Sequence, residues 1–324
     1  MRASTSNIRL IISDLGLRSG GAAGLYVDAN YGNDNYDGLG WGSPKATIAG
    51  ALADAIAWTD IHVRAGIYDE NLVIDIPYIN IIGEARSGAT EVTVAPANGK
   101  GVVINTGMCS LKNLGVITKA DTAIEVNNED VLLDKIYVST TNGGHGIDLR
   151  SADRGRVQGC FIDLNGKENA IGIVVNNYTN DVDILDNYIT SAGSGLGEVP
   201  SLEGYGIGIT DLAQDTLIKG NTILDCHQGI YFYKDPVPNP YKGHIVIHNA
   251  FYTNDQWDIF DPNGESFEIA IGENYFGYEG WNDPGDSSKY ARRKVPCSLG
   301  SLNFDYSPLT NRRAWMMSAD TRRI

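Results

Sequence analysis

An all-β solenoid with a short helix near its start is the fold this sequence predicts, and three observations carry that prediction. Runs with alternating apolar residues, led by Ala123, Gly146, Gly172, Gly206 and Gly229, recur at spacings of 23, 26, 34 and 23 residues. A second pattern is interleaved with them: an apolar residue, two variable ones, Asn, another variable one and a second apolar residue. It occurs at 184–189, 218–223, 246–251 and 271–276, with Asn187, Asn221, Asn249 and Asn274 in the fixed slot. Looser versions place Asn113, Lys135 and Cys160 in that slot. The third observation is that each repeat, 22–34 residues long, contains only strand and turn signals. Such a unit cannot bury its own apolar side, so the units must stack coaxially and cover one another. Rungs then sit about 4.8 Å apart, and an inward Asn repeated at one turn can bond along the stack as a ladder. A sandwich of hairpins gives Asn no reason to return to one position.

In chain order, residues 1–24 end in a Ser-Gly-Gly-Ala-Ala-Gly stretch and read as an attachment arm with a flexible linker. Residues 43–58 predict the one helix, with Ser43 as N-cap, Pro44 in the first position, and Ile48, Leu52 and Ile56 recurring every four residues. Its place is where the stack begins, and a solenoid needs its apolar end covered. The solenoid itself is expected over 25–280. Residues 281–324 have lost the repeat and hold Trp281, Trp315, Met316 and Met317 amid basic side chains, the pattern of a docking or oligomerisation segment.

The chain has 324 residues, of which 42% are hydrophobic and 20% charged, enough apolar content to exclude wholesale disorder. Its net charge is -15, from 25 basic and 40 acidic residues, which argues against nucleic acid as a partner. The charge is divided: residues 289–324 carry eight basic against two acidic side chains, a local +6, so the preceding residues hold -21. No apolar stretch approaches the length of a membrane span, so no membrane insertion is expected. The run Leu10 to Ile12 is too short for a secretory core, so no secretion signal is expected either. Cys109, Cys160, Cys226 and Cys297 are far apart and form no CxxC pair, which predicts a buried, reduced set.

One stretch carries a resemblance. Tyr26 and Asp28, the run Gly-Asn-Asp-Asn-Tyr-Asp-Gly at 32–38, Trp41, Ser43 to Thr47, the run Ile-His-Val-Arg-Ala-Gly-Ile-Tyr at 61–68 and Glu70 resemble the start of right-handed parallel β-helix proteins of the pectin-lyase-like superfamily. The resemblance spans roughly residues 25–280. It implies an all-β, right-handed parallel β-helix of three sheets around one core. That superfold hosts lyases, hydrolases, epimerases, viral tail spikes and inert structural proteins, so it points to a fold more than to an activity.

Candidate site residues follow from alternation along the Gly-led runs. Ile147 and Leu149 face inward, which leaves Asp148 and Arg150 outward, with Glu125 and Asn127 on the rung before and Asn176 on the rung after. Glu125 and Asp148 are then about 5 Å apart on adjacent rungs, a separation compatible with the carboxylate pair of a retaining glycosidase. Tyr231 and Tyr233 lie further along, where they can stack on sugar rings. Asn127, Arg150, Asn176, Tyr231 and Tyr233 are accordingly the candidate glycan-binding residues, and Glu125 and Asp148 the candidate catalytic pair. The bland alternative is that any solenoid must present polar residues outward.

Other motifs carry less. Calcium-assisted lyases of the resembled superfamily use acidic ligands and an Arg or Lys base, and 151–156 holds Asp153, Arg154 and Arg156, but it reads as a turn between strands. The loop 33–38 matches the first half of a calcium loop, yet its twelfth position is Pro44, and an Asx-rich turn explains it without metal. Calcium is the one cofactor left open, and none is otherwise expected. The five His do not cluster, and no HExxH, P-loop or GxSxG motif occurs, so no metal site is expected.

Two function classes emerge. One is a virion structural protein, a tail spike, fibre or capsid decoration, assembled in the host cytoplasm and displayed on the virion surface. It would form a homotrimer, meet other virion proteins through 1–24 and 281–324, and recognise host-surface polysaccharide. The other is a polysaccharide lyase or glycoside hydrolase acting along the same face. A body of charge -21 repels anionic polymers, which favours neutral glycans as substrates of such an enzyme.

Overall fold

The computed structural model describes residues 24–277 except 85–87, 120, 142–143, 168–169, 177, 193–203, 211, 234–242, 255–256, 261–268 and 273, together with Arg293–Lys294. Apart from Gly24 and that pair, the arm at 1–24 and the segment at 281–324 lie outside the described residues.

Among the described residues the strands form three sheets of ten, nine and nine strands, in each of which neighbours come from successive repeats. All pairings are parallel, so the chain is a parallel β-helix. One turn consists of Leu132–Asp134 in the ten-stranded sheet, Tyr137–Thr140 in a second sheet and Ile147–Leu149 in the third. Each repeat thus holds three strands. All five Gly- or Ala-led runs fall in the third sheet, with Ile124 opposite Ile147 and Ile173 opposite Ile207.

In-register stacking makes columns of like residues inside. In the ten-stranded sheet Ile81, Leu111, Leu133, Val157, Ile184 and Ile218 succeed one another, all fully buried. Each such side chain contributes about 1.5–3 kcal/mol of burial, which no single repeat could obtain alone. At the next turn the Asn ladder forms as expected. The Asn187 amide nitrogen donates to Asn221 Oδ1 at 2.9 Å, Asn221 to Asn249 Oδ1 at 2.9 Å, and Asn249 to Asn274 Oδ1 at 3.0 Å.

The looser slot assignments shift by one residue. Asn113 and Lys135 stand one position earlier, in left-handed conformation with φ of 55° and 56°, and the slot is filled by buried Leu114 and Ile136. Cys160 does occupy it, and its N–H donates to Asn187 Oδ1 at 2.9 Å, where the ladder begins. The three described cysteines, Cys109, Cys160 and Cys226, are buried thiols, and burial pushes the Cys160 pKa up to about 12. Cys297 lies outside the described residues.

The helix is shorter than expected, Ile48–Asp54, with Thr47 as N-cap. The physical reason is strand pairing. Lys45 donates its N–H to Tyr26 O at 2.8 Å and accepts from Asp28 N at 2.9 Å, so the segment at Pro44 is held extended beside Leu25–Val27 and helical turns start only after it. Ser43 instead donates its hydroxyl to Asp37 at 2.6 Å. Ile48 and Ala51 are buried and Leu52 packs on the core, whereas Ile56 lies beyond the helix and is 67% exposed. The helix still contacts Leu25–Val27, Asp60–Val63 and Leu72–Ile74, so it covers the first turns as expected.

Candidate functional site

The outer face of the sheet containing Ile124–Val126 and Ile147–Leu149 gathers most of the predicted residues. Glu125 and Asp148 are directly paired neighbours on adjacent rungs. They are not exposed, however: Glu125 is 5% and Asp148 0% exposed, although both point away from the core. Their cover is cationic. Arg150 donates through Nε to Asp148 Oδ2 at 2.7 Å, and its Nη1 lies 3.3 Å from Glu125 Oε2. Lys100 Nζ donates to Glu125 at 2.6 Å. Asn127 donates to Glu125 Oε1 at 3.1 Å and Asn176 to Asp148 Oδ1 at 3.1 Å. Two carboxylates and two cations form a balanced cluster, and both acids are desolvated but paired.

Burial acts to raise the Glu125 pKa, but hydrogen bonds from Lys100 and Asn127 and the charges of Arg150 and Lys100 outweigh it, so the net shift is downward. A general acid in a retaining pair needs the opposite shift. The sign fixes a pH dependence. A lowered folded pKa makes Glu125 stabilise the fold above its ordinary value of 4.5, and this contribution is lost as pH falls below 4.5 through the folded value. The gap in Tm between the wild type and Glu125→Gln should therefore be constant above about pH 5.5 and shrink on acidification. A gap that stays constant to pH 3 would show that Glu125 is not held ionised.

Tyr231 and Tyr233 are not part of this cluster. Asp148, Val174, Gly208 and Tyr231 pair in succession, which puts Tyr231 three rungs, or about 14 Å, further along. There Tyr231 stacks on Tyr205 with centroids 4.3 Å apart and on Phe260 at 5.4 Å, and Tyr233 meets Tyr231 edge-on at 4.8 Å. Ile171 and Val174 pack beside them, forming an apolar cluster separate from the core. The face thus has a charged half and an aromatic half.

Sequence reasoning missed Lys100, Tyr205, Phe260 and His145. Tyr205 was legible in principle, since it directly precedes Gly206 at the head of a run. Lys100 was not, because it reaches Glu125 from 25 residues upstream. Burial lowers the His145 pKa, opposed by the charge of Asp148, so this imidazole is held towards its neutral form beside the cluster.

The other motifs are engaged locally. Arg154 donates to Asp130 at 2.9 and 3.0 Å and also pairs with Glu129, which raises its pKa, the wrong direction for a base. Arg156 pairs with Asp183 at 2.6 Å, and Asp153 accepts from Asn180 N at 2.7 Å. In the loop 33–38, Asp34 accepts the N–H groups of Ala46 and Thr47 at 2.9 and 3.0 Å, and Asp37 accepts from Leu39 N at 3.1 Å. Lys45 Nζ donates to the Asp34 carbonyl at 3.0 Å, so an ammonium already sits against this loop. Among the described residues no three His, Cys, Asp or Glu side chains converge as metal ligands, and no helix is long and apolar enough to cross a membrane.

No curated protein matches the chain. Solved structures do. Pectate lyase Pel9A is similar over 90% of this chain and 91% of its own, at a TM-score of 0.56 and 13% identity. A rhamnogalacturonan lyase is similar over 78% of this chain and 72% of its own, at a TM-score of 0.58 and 12% identity. The Dettilon tailspike protein matches at a TM-score of 0.49 and 15% identity, and the chain spans 52% of that protein's length. At such identities the likeness is one of fold. The family described as "Right handed beta helix region" matches residues 79–256, more than half of the 324, and three in-register parallel sheets run through that span; the chain belongs to this right-handed β-helix family.

Proposed function

We propose that this protein is a non-catalytic, glycan-binding β-helix displayed on a virion surface. The observation that carries the glycan reading is the divided outer face, with the half-buried rings of Tyr231 and Phe260, Tyr231 stacked on buried Tyr205, in its aromatic half and Arg150, Lys100, Asn127 and Asn176 in its charged half. Aromatic surface next to fixed polar groups suits a sugar, which presents apolar ring faces and hydroxyls together. The non-catalytic reading is supported by Glu125, whose pKa is shifted away from that of a general acid. The virion setting and a homotrimeric assembly rest on the divided charge, -21 in the body against +6 in residues 289–324, which favours contacts between copies or with other particle proteins.

Binding of neutral oligosaccharides to the full chain, followed by calorimetry and by release of reducing ends or unsaturated products, tests this. Binding without product release is expected, with Tyr231→Ala weakening it about tenfold, near 1.4 kcal/mol. Sustained product release that Asp148→Asn abolishes would instead make the protein a polysaccharide-degrading enzyme. The sedimentation mass should be three times the 35.0 kDa of one chain.

A further inference from the structure

A groove of about 580 Å³ opens near the helix-covered end, away from the face just described, and is lined by Asp28, Tyr31, Trp41, Arg64, Glu84 and Asn113 among others. That volume is in the range of small-molecule sites, about 300–1,000 Å³. Arg64 and Glu84 directly follow the paired residues Val63 and Gly83, so they leave the ten-stranded sheet on adjacent rungs, about 4.8 Å apart at the backbone. Asn113 belongs to the next rung, where its side chain donates to Gly83 O at 2.8 Å. The loop at 28–41 supplies the opposite wall.

The two charged side chains are linked by a continuous chain of contacts. Arg64 Nη1 donates to Asp28 Oδ2 at 2.9 Å, and its guanidinium lies 4.1 Å over the Trp41 ring. Trp41 meets Tyr26 edge-on at 4.8 Å, Tyr26 stacks on His62 at 5.1 Å, and His62 Nδ1 pairs with Glu84 Oε1 at 2.7 Å. Arg64 has five N–H donors, of which this arrangement engages one, and its side chain is 45% exposed. Glu84 uses one oxygen on His62 and its side chain is 44% exposed. Tyr31, 80% exposed, offers a ring at the rim. A donor and an acceptor carried on adjacent rungs, beside an exposed aromatic ring, suit the hydroxyls of one sugar. The surplus of carboxylates, Asp28, Glu84 and Glu91 against Arg64, disfavours anions.

The geometry points to this groove as a second saccharide site, in which a vicinal diol of a neutral sugar donates to Glu84 and accepts from Arg64 while its ring rests on Tyr31. The site is independent of the sheet face. Saturation-transfer NMR on the full chain with galactose, mannose and N-acetylglucosamine tests it, using the wild type, Glu84→Gln, Tyr31→Ala and Tyr231→Ala. At least one sugar should still bind to Tyr231→Ala, in which the sheet face is weakened, and at least tenfold more weakly once Glu84→Gln or Tyr31→Ala is added to it, with every variant keeping the wild-type Tm within a few degrees. Absence of transfer from all three sugars overturns the site, as does binding insensitive to both groove variants. Loss confined to Tyr231→Ala overturns it too, while supporting the sheet face.

Discussion

Replacing Asn221 by Leu is expected to cost the fold about 4 kcal/mol, from several buried polar groups losing partners at about 1–3 kcal/mol each. Asn221 is fully buried. Its Oδ1 accepts both the backbone N–H and the side-chain amide of Asn187 at 2.9 Å, and its own amide donates to Ile184 O at 2.9 Å. Leucine has a similar volume and removes all three. Steric misfit is not the cause, since Leu114 and Ile136 fill the same slot in earlier turns. In those turns no Asn below offers groups that need an answer; at Asn221 the rungs on both sides do. Urea unfolding should show a lower midpoint, and hydrogen exchange should show lost protection at the Asn187 amide. An unchanged midpoint would mean that the ladder is decoration. Because a solenoid's stability is a sum of neighbour terms, the damage should centre on the rungs of Asn187, Asn221 and Asn249.

The second large effect is expected at Gly172, where Val should destabilise by about 3 kcal/mol through overpacking. A Cβ at Gly172 would stand 2.5 Å from Gly206 O and 2.6 Å from Ile189 Cγ2, closer than real carbon contacts allow. The same crowding recurs at Gly206, which would meet Ile223 Cγ2 at 2.6 Å and Gly229 O at 2.7 Å. These glycines are required by the close approach of successive rungs where the chain enters the sheet, and backbone conformation is not the reason. Thermal denaturation is the measurement. If Gly172→Val melts with the wild type, the rungs can spread there and the packing argument fails.

The repeats were legible because stacking demands the same residue type at the same place in every turn. Columns such as Ile184 with Ile218 therefore appear in the sequence as spacing, and so do the Asn ladder and the Gly-led strand starts. The pairing of Glu125 with Asp148 was legible for the same reason, since alternation and register follow from the pattern. The helix start was misread because Ser43 and Pro44 carry a local signal that strand pairing by Lys45 overrides. Asn113 and Lys135 were misplaced by one residue because a left-handed turn residue and an inward slot lie side by side in the chain.

What the sequence determined by itself was the architecture, a stacked β-solenoid with polar residues outside and Asn at one turn, because a one-dimensional repeat writes its nearest-neighbour contacts into its period; its right hand came only with the family resemblance. What only the tertiary structure decided was the state of the site. Lys100 and Arg150 bury and neutralise the two carboxylates, and the loop at 28–41 folds back to hold Arg64 over Trp41. These contacts join residues with no periodic relation, and their energies depend on distance and burial in three dimensions, which spacing along the chain does not encode.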